Sequence, residues 1–199
     1  MPRTPLVRPS AYFTDKPDGT LAVAVWGGYL FVSVLFLLGS LWVLLSRSAG
    51  LINIPVSEVG SVVGNAVVSI LLVAVVGLSV RILAMHWVAG RGTDAGSIEA
   101  AIVVSCWSYA PLTLELGVVA LSRWSQAQTR EFGVLYPTDF AANLDAVFAE
   151  IGWAEQVVAV LGVAWSVYIL ADGIAATHGL DHRQTVPIAA LIGIAHLLV

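Results

Sequence analysis

The sequence has very little charge. Only 11% of its 199 residues are charged, whereas 58% are hydrophobic, and the mean hydropathy is +0.89. A soluble domain has about 25% charged residues, so this composition excludes an ordinary soluble globular protein and indicates a polytopic membrane protein. The formal net charge of -4 is spread over short loops without a basic run. We therefore expect no nucleic-acid partner.

Cysteine and lysine are almost absent. Cys106 is the single cysteine, which excludes an intramolecular disulfide and a cysteine metal cluster. Because it lies in an apolar run, we expect it to pack as a small apolar residue. Lys16 is the only lysine among the nine basic residues, and acidic residues outnumber basic ones. We interpret this balance as typical of a salt-adapted prokaryote with a high-GC genome.

Long apolar runs are what the sequence does contain, and they predict a bundle of about five transmembrane helices in an all-α fold. A crossing needs about 20 apolar residues, or about 30 Å of helix. The predicted spans are 21–45, 59–80, 98–121, 157–176 and 186–199. The first is too long for a signal-peptide core and further spans follow it, so we expect it to be retained. The last is short for a crossing, at about 21 Å.

The segments outside these runs have distinct compositions. Residues 1–20 contain four prolines and charges of both signs, which predicts a flexible tail before a transmembrane domain at 21–199. Residues 90–97 are rich in glycine but lack the Lys-Ser/Thr ending of a phosphate loop, so we expect a connector. Between spans three and four, helical spacing predicts an amphipathic helix at the membrane interface or capping the bundle. Its apolar positions are Phe140, Leu144, Val147, Phe148 and Ile151, opposite Asn143, Asp145 and Glu150.

Three residues predict details of the helices. Pro111, near the middle of span three, lacks a backbone N–H and predicts a kink. Gly179 is placed to end span four in a left-handed C-cap, with Leu180 folding back. Thr185 is placed to cap the last helix.

The arrangement of Lys and Arg predicts the orientation in the membrane, since cytoplasmic loops carry more of both. With the N-terminus inside, the inner set is Arg3, Arg8, Lys16, Arg81, Arg91 and Arg183, and the outer set is Arg47, Arg123 and Arg130. The excess favours a cytoplasmic N-terminus and an outer C-terminus.

Two short motifs resemble the Yip family of multispanning membrane proteins, named for interacting with Ypt/Rab GTPases. They are Ser108-Tyr109-Ala110-Pro111 in span three, and Trp165-Ser166-Val167-Tyr168 followed by His178-Gly179-Leu180 in span four. The resemblance covers 21–199 and implies a five-span bundle with a cytoplasmic N-terminus. The sequence before span one lacks the Asp-Leu-Tyr-Gly-Pro stretch of the eukaryotic branch. It therefore resembles the prokaryotic branch in the cell membrane, and a GTPase partner is not supported.

The candidate functional residues are ionisable side chains within or beside the spans, because such residues are costly in hydrocarbon unless they are paired or line a polar path. They are Asp172, Arg81, Glu115 and Arg47. The predicted orientation puts Asp172 and Arg81 at one depth, and Glu115 nearer to Arg47. We expect two structural pairs; the alternative is a water-filled path or solute site that uses the carboxylates.

His178, Asp181 and His182 are the only local set of metal-ligand types. They lack the His-Glu-x-x-His spacing that puts two imidazoles and a base on one helix face, so we expect a polar loop and predict neither a metal nor another cofactor. Cys106 has no nearby activating base. The sequence thus predicts a non-enzymatic protein that organises the membrane or binds partners. The expected partners are the lipid bilayer, further copies of this chain or other membrane proteins. The alternative is a small-solute or ion transporter or channel.

Overall fold

The computed structural model describes residues 4–15, 18–51, 53–89, 97–149 and 152–197. These residues are mainly helical, as the sequence predicts. The helices are α1 (Pro9–Thr14), α2 (Gly19–Arg47), α3 (Val56–Ala89), α4 (Ile98–Trp107), α5 (Tyr109–Ala127), α6 (Pro137–Ala149), α7 (Trp153–His178) and α8 (His182–Leu197). The predicted loop at 90–97 lies outside the described residues except for Ser97, which caps α4 by accepting from the Ala100 N–H.

Four helical stretches in the described part are long and apolar enough to cross a membrane. They are α2, α3, α4 together with α5, and α7. These correspond to the first four predicted spans. The fifth predicted span corresponds to α8, which has 16 residues and is therefore about 24 Å long. Because α8 is shorter than a comfortable crossing, the fifth span stays a prediction.

The helix in span three is interrupted at Ser108, between α4 and α5 and three residues before Pro111, and a kink there stays a prediction. Pro111 has no N–H to donate to the carbonyl of Trp107 four residues earlier, so the helix cannot continue with regular hydrogen bonds. The Ser108 N–H still donates to the carbonyl of Val104, four residues earlier, and also to that of Cys106, so regular helical bonding reaches Ser108 from the α4 side. The break brings the side chains of Ser108 and Tyr109 to the turn between two helical segments.

A two-stranded parallel sheet corrects the prediction of a purely helical fold. Its strands are β1 (Ser48–Leu51) and β2 (Phe132–Leu135), with Ser48 opposite Phe132 and Leu51 opposite Leu135. Each strand has only four residues, which is too short for an alternating pattern to stand out in the sequence. The pairing joins segments far apart in the chain, so it depends on tertiary structure.

The chain forms two compact units. The first comprises 1–29, 74–115 and 159–199, and the second comprises 30–73 and 116–158. In the first unit the apolar core contains Val104, Ile169, Leu170, Ile174 and, as predicted, the buried Cys106.

The N-terminal residues differ from the predicted flexible tail. Residues 9–14 form α1, and Tyr12 and Phe13 are buried in the core of the first unit. The carbonyl of Leu6 accepts a 2.8 Å hydrogen bond from Trp165 Nε1, and that of Val7 accepts a 3.3 Å bond from the Tyr168 hydroxyl. The composition indicates a tail because prolines and charges are frequent, but two aromatic rings supply enough apolar surface to pack the described part.

The second unit contains α6, the helix predicted between spans three and four. Phe140 and Leu144 are buried with Leu44 and Leu135 in the core of this unit, so the apolar face of α6 packs against the protein. The side chains of Val147 and Phe148, together with Glu150 and Ile151, lie outside the described part. A location at the membrane interface stays a prediction.

At the turn between α7 and α8, the C-cap of α7 is as predicted, but α8 begins at a different residue. Gly179 has a φ of +64°, a left-handed conformation that favours glycine, and Leu180 packs against the core of the first unit. Helix α8 begins at His182 rather than after Thr185. Asp181 takes the capping role, because its Oδ1 accepts from the Arg183 N–H. Thr185 is instead fully buried within the helix.

Replacing Phe13 tests whether the N-terminal residues belong to the folded domain. We expect Phe13→Ala to lower the free energy of unfolding in detergent by about 3 kcal/mol, because a buried aromatic side chain leaves a cavity. Phe31→Ala is the matched control, since Phe31 on α2 is 64% exposed, and its effect should stay within about 0.5 kcal/mol. Equal unfolding temperatures for Phe13→Ala and the unmodified protein would contradict the docking of α1.

Candidate functional site

Arg81 on α3 is the most completely buried of the candidate residues, with 3% of its surface exposed. Its Nη1 donates a 2.7 Å hydrogen bond to the Ser108 hydroxyl. Its guanidinium carbon lies 4.3 Å from the centre of the Tyr109 ring. The Tyr109 ring also packs against the ring of Tyr29, with ring centres 4.9 Å apart. The cation is therefore held by a hydroxyl and by the face of an aromatic ring, both within the first unit.

Two serines build this arrangement at the end of α4. The Ser108 hydroxyl donates to the Ser105 carbonyl at 2.7 Å, which orients its oxygen as an acceptor for Arg81. The Ser105 hydroxyl in turn contacts Met85 Sδ at 3.2 Å. Arg81 and Met85 are one turn apart on the same face of α3, so two polar contacts join α3 to α4.

The predicted ion pair between Arg81 and Asp172 is not formed, since each residue has a different partner. Asp172 on α7 lies with Oδ1 3.4 Å from Nδ1 of His182, at the start of α8. His182 is the first residue of α8, which begins earlier than the predicted start after Thr185. This position places its imidazole beside Asp172. A similar depth along two helices is insufficient for pairing, because the side chains must also face each other.

Glu115 on α5 has its carboxyl group directed at α7. Its Oε2 is buried and has no hydrogen-bond partner among the described residues. A Cβ added at Gly162 would lie 2.5 Å from that oxygen, so the missing side chain of Gly162 leaves the space that the carboxyl occupies. Glu115 and Gly162 both belong to the first unit.

Arg47 lies in the last turn of α2, in the second unit. Its Nε donates a 3.2 Å hydrogen bond to Oε1 of Gln128, at an exposed position. A cation in the last turn of a helix is also stabilised by the negative end of the helix dipole. The predicted pairing of Arg47 with Glu115 stays a prediction.

The second unit contains a buried ion pair that the sequence did not predict. Arg123 Nε and Glu155 Oε2 are 3.2 Å apart, with side-chain exposures of 9% and 4%, and Gln126 donates to the other carboxylate oxygen at 3.3 Å. Both charged residues lie just outside predicted spans, two residues after 121 and two residues before 157. Their opposite charges at adjoining span ends were the available signal.

The three potential metal ligands near the end of α7 have separate contacts. His178 is buried beside the Thr177 hydroxyl at 2.8 Å, Asp181 accepts from the backbone of α8, and His182 contacts Asp172. In the described part of the chain, no three His, Cys, Asp or Glu side chains are grouped so that they could hold a metal ion.

A double-mutant cycle tests the contact between Arg81 and Ser108. We expect Ser108→Ala to lower the free energy of unfolding in detergent by about 2 kcal/mol, because a buried guanidinium loses its hydrogen-bond acceptor. In an Arg81→Leu background the same change should cost clearly less. Ser79→Ala is the control, since its exposed hydroxyl bonds only to Val75 of its own helix. Equal costs of Ser108→Ala in both backgrounds would contradict the contact.

The two motifs that resemble the Yip family thus have structural roles, since Ser108 and Tyr109 hold Arg81 and Trp165 and Tyr168 bind the N-terminal backbone. In comparisons with known proteins, no curated protein and no solved structure matches the chain. The family model described as "Yip1 domain" matches residues 4–199, which extends the predicted boundary at residue 21 to include the docked N-terminal residues. The chain therefore belongs to the Yip1-domain family and is a multi-pass transmembrane protein.

Proposed function

We propose that this protein is a non-enzymatic member of its family that organises the membrane or binds other membrane proteins through its outer helix surfaces. The observation that carries the proposal is the surface of α3. Val68 and Leu72 are each 60% exposed, and Leu83 is 61% exposed. A helix with so much exposed apolar surface needs lipid or another apolar helix around it.

The N-terminal half of α3 favours a protein neighbour over lipid alone. A Cβ added at Gly60 or Gly64 would meet nothing within 4 Å, so a second helix could approach the backbone closely there. Asn65 on the same part of α3 is exposed, and its amide would be costly in hydrocarbon without a hydrogen-bond partner. Small residues beside a polar amide are typical of contacts between transmembrane helices. We infer that the neighbour is a further copy of this chain or another membrane protein; nucleic acid and GTPases are not included.

The proposed setting is the cell membrane of a prokaryote, with five spans, a cytoplasmic N-terminus and an outer C-terminus. The excess of Lys and Arg on one side of the predicted spans supports this orientation. Helix α6 would then lie on the outer side, at the membrane interface.

A transporter or channel for a small solute or ion is the second candidate. One observation favours it, which is the buried Glu115 oxygen without a partner among the described residues. Intramembrane carboxyl groups of this kind often mark proton or ion pathways. The first candidate is preferred because the other buried charged side chains, Arg81, Arg123, Glu155 and Asp172, all have partners within the protein.

Photocrosslinking from α3 in intact cells tests the proposed partner surface. A photoreactive residue at Ser61, which is exposed one residue after Gly60, should yield protein adducts. The same residue at Ser79, also exposed on α3, should yield mainly lipid adducts and is the matched control. Lipid adducts alone at both positions, together with a proton or ion flux into vesicles that Glu115→Gln abolishes, would replace the first candidate with the second.

Reporter fusions test the proposed orientation. A reporter fused after Gly133 should be active only outside the cytoplasm, and one at the N-terminus only inside, because basic residues are retained on the cytoplasmic side. The opposite pattern would contradict the orientation and the outer location of α6.

A further inference from the structure

The carboxyl group of Glu115 occupies a space that the fold leaves open for it. Its Oε2 would be 2.5 Å, and its own Cβ 3.0 Å, from a Cβ added at Gly162. Any other residue at Gly162 would therefore push the Glu115 side chain away from α7. Glu115 is half-buried as a whole, so one carboxyl oxygen is enclosed while the side chain still reaches the surface of the first unit.

No positive charge balances this carboxyl among the described residues of the first unit. The guanidinium of Arg81 is bound to Ser108 and Tyr109, and His182 is beside Asp172. The described ion pairs involve other carboxylates, Asp172 and Glu155. A carboxylate in an apolar span without a cation or hydrogen-bond donor would have a large desolvation cost.

A second buried polar atom, the hydroxyl oxygen of Ser166, lies on the face of α7 that contains Gly162. Ser166 is four residues after Gly162, which places both on one side of the helix. The Ser166 hydroxyl is buried, with 1% of the residue exposed, and has no hydrogen-bond partner among the described residues. Two buried oxygen atoms without partners, one beside Gly162 and the other on the residue one turn further along α7, are unusual in a folded protein. A carboxylic acid with its proton could satisfy both through one water molecule.

We propose that Glu115 is a proton-binding site within the membrane, where the carboxyl group carries an exchangeable proton and is positioned by Gly162 and Ser166. A neutral acid avoids the cost of an unpaired charge and can donate a hydrogen bond. This assignment goes beyond both functions proposed above, since it concerns the state of one carboxyl group and requires neither transport nor a protein partner.

A protonated carboxyl near lipid has a characteristic reaction with the hydrophobic reagent dicyclohexylcarbodiimide. The acid proton moves to one nitrogen of the reagent, and the carboxylate oxygen bonds to its central carbon to give an O-acylisourea. Migration of the acyl group to nitrogen then gives a stable N-acylurea. No atom leaves, so the labelled peptide gains the mass of one reagent molecule.

Labelling of the purified protein in lipid vesicles therefore tests the site. Mass spectrometry should find the adduct on Glu115 and none on Asp139, which is exposed on α6. A water-soluble carbodiimide should show the reverse preference. This measurement uses the unmodified chain, so it does not depend on a variant that folds. An adduct absent from Glu115 in folded protein would overturn the proposal.

Infrared spectroscopy provides an independent readout. The carbonyl band of a protonated carboxylic acid should be present, should shift in D2O and should be lost in Glu115→Gln, while Asp139→Asn leaves it unchanged. Ser166→Ala should shift this band because the acid loses a hydrogen-bonding neighbour, and Ser79→Ala should not. A band that survives Glu115→Gln would overturn the proton site, and one that Ser166→Ala leaves in place would remove Ser166 from it.

Discussion

A guanidinium buried in an apolar helix bundle must have its charge stabilised by the protein, because neither lipid nor water is available to do so. In the first unit this constraint falls on Arg81, which is bound by the Ser108 hydroxyl and covered by the Tyr109 ring. Both partners lie where α4 ends and α5 begins. The break depends on Pro111, since the missing N–H prevents a regular helix through Trp107. One proline thus links the course of span three to the burial of a cation on α3.

The same reasoning explains why the family motifs contain these residue types. Serine can accept from Arg81 while donating to its own helix, and tyrosine offers a ring face to the cation. In α7, Trp165 and Tyr168 have polar atoms at the ends of apolar rings and can reach the backbone of Leu6 and Val7. A motif in span four therefore positions residues more than 150 positions earlier in the chain, and the family match from residue 4 includes that segment.

Buried charge is handled differently in the second unit. Arg123 and Glu155 neutralise each other, and Gln126 satisfies the second carboxylate oxygen. A pair of this kind contributes little net stability compared with apolar residues, but removing one member leaves an unpaired charge. Glu115 differs from Arg81 and from the Arg123–Glu155 pair, since it has neither a counter-ion nor a hydrogen-bond donor among the described residues. This contrast is what makes it a functional candidate.

The class of protein, the first four spans, the helix interruption near Pro111 and the turn at Gly179 could be predicted from the sequence, because each depends on local composition or on one residue's backbone preference. The partners of the charged residues depend on how the helices pack, which the sequence does not reveal. Asp172 faces His182 rather than Arg81, and Arg123 pairs with Glu155, although both lie outside the predicted spans. Hydropathy reports depth in the bilayer, but pairing depends on which way a side chain faces around its helix and on where a helix begins. The strands β1 and β2 and the packing of Tyr12 and Phe13 likewise depend on contacts between distant segments, which periodicity along the chain cannot report.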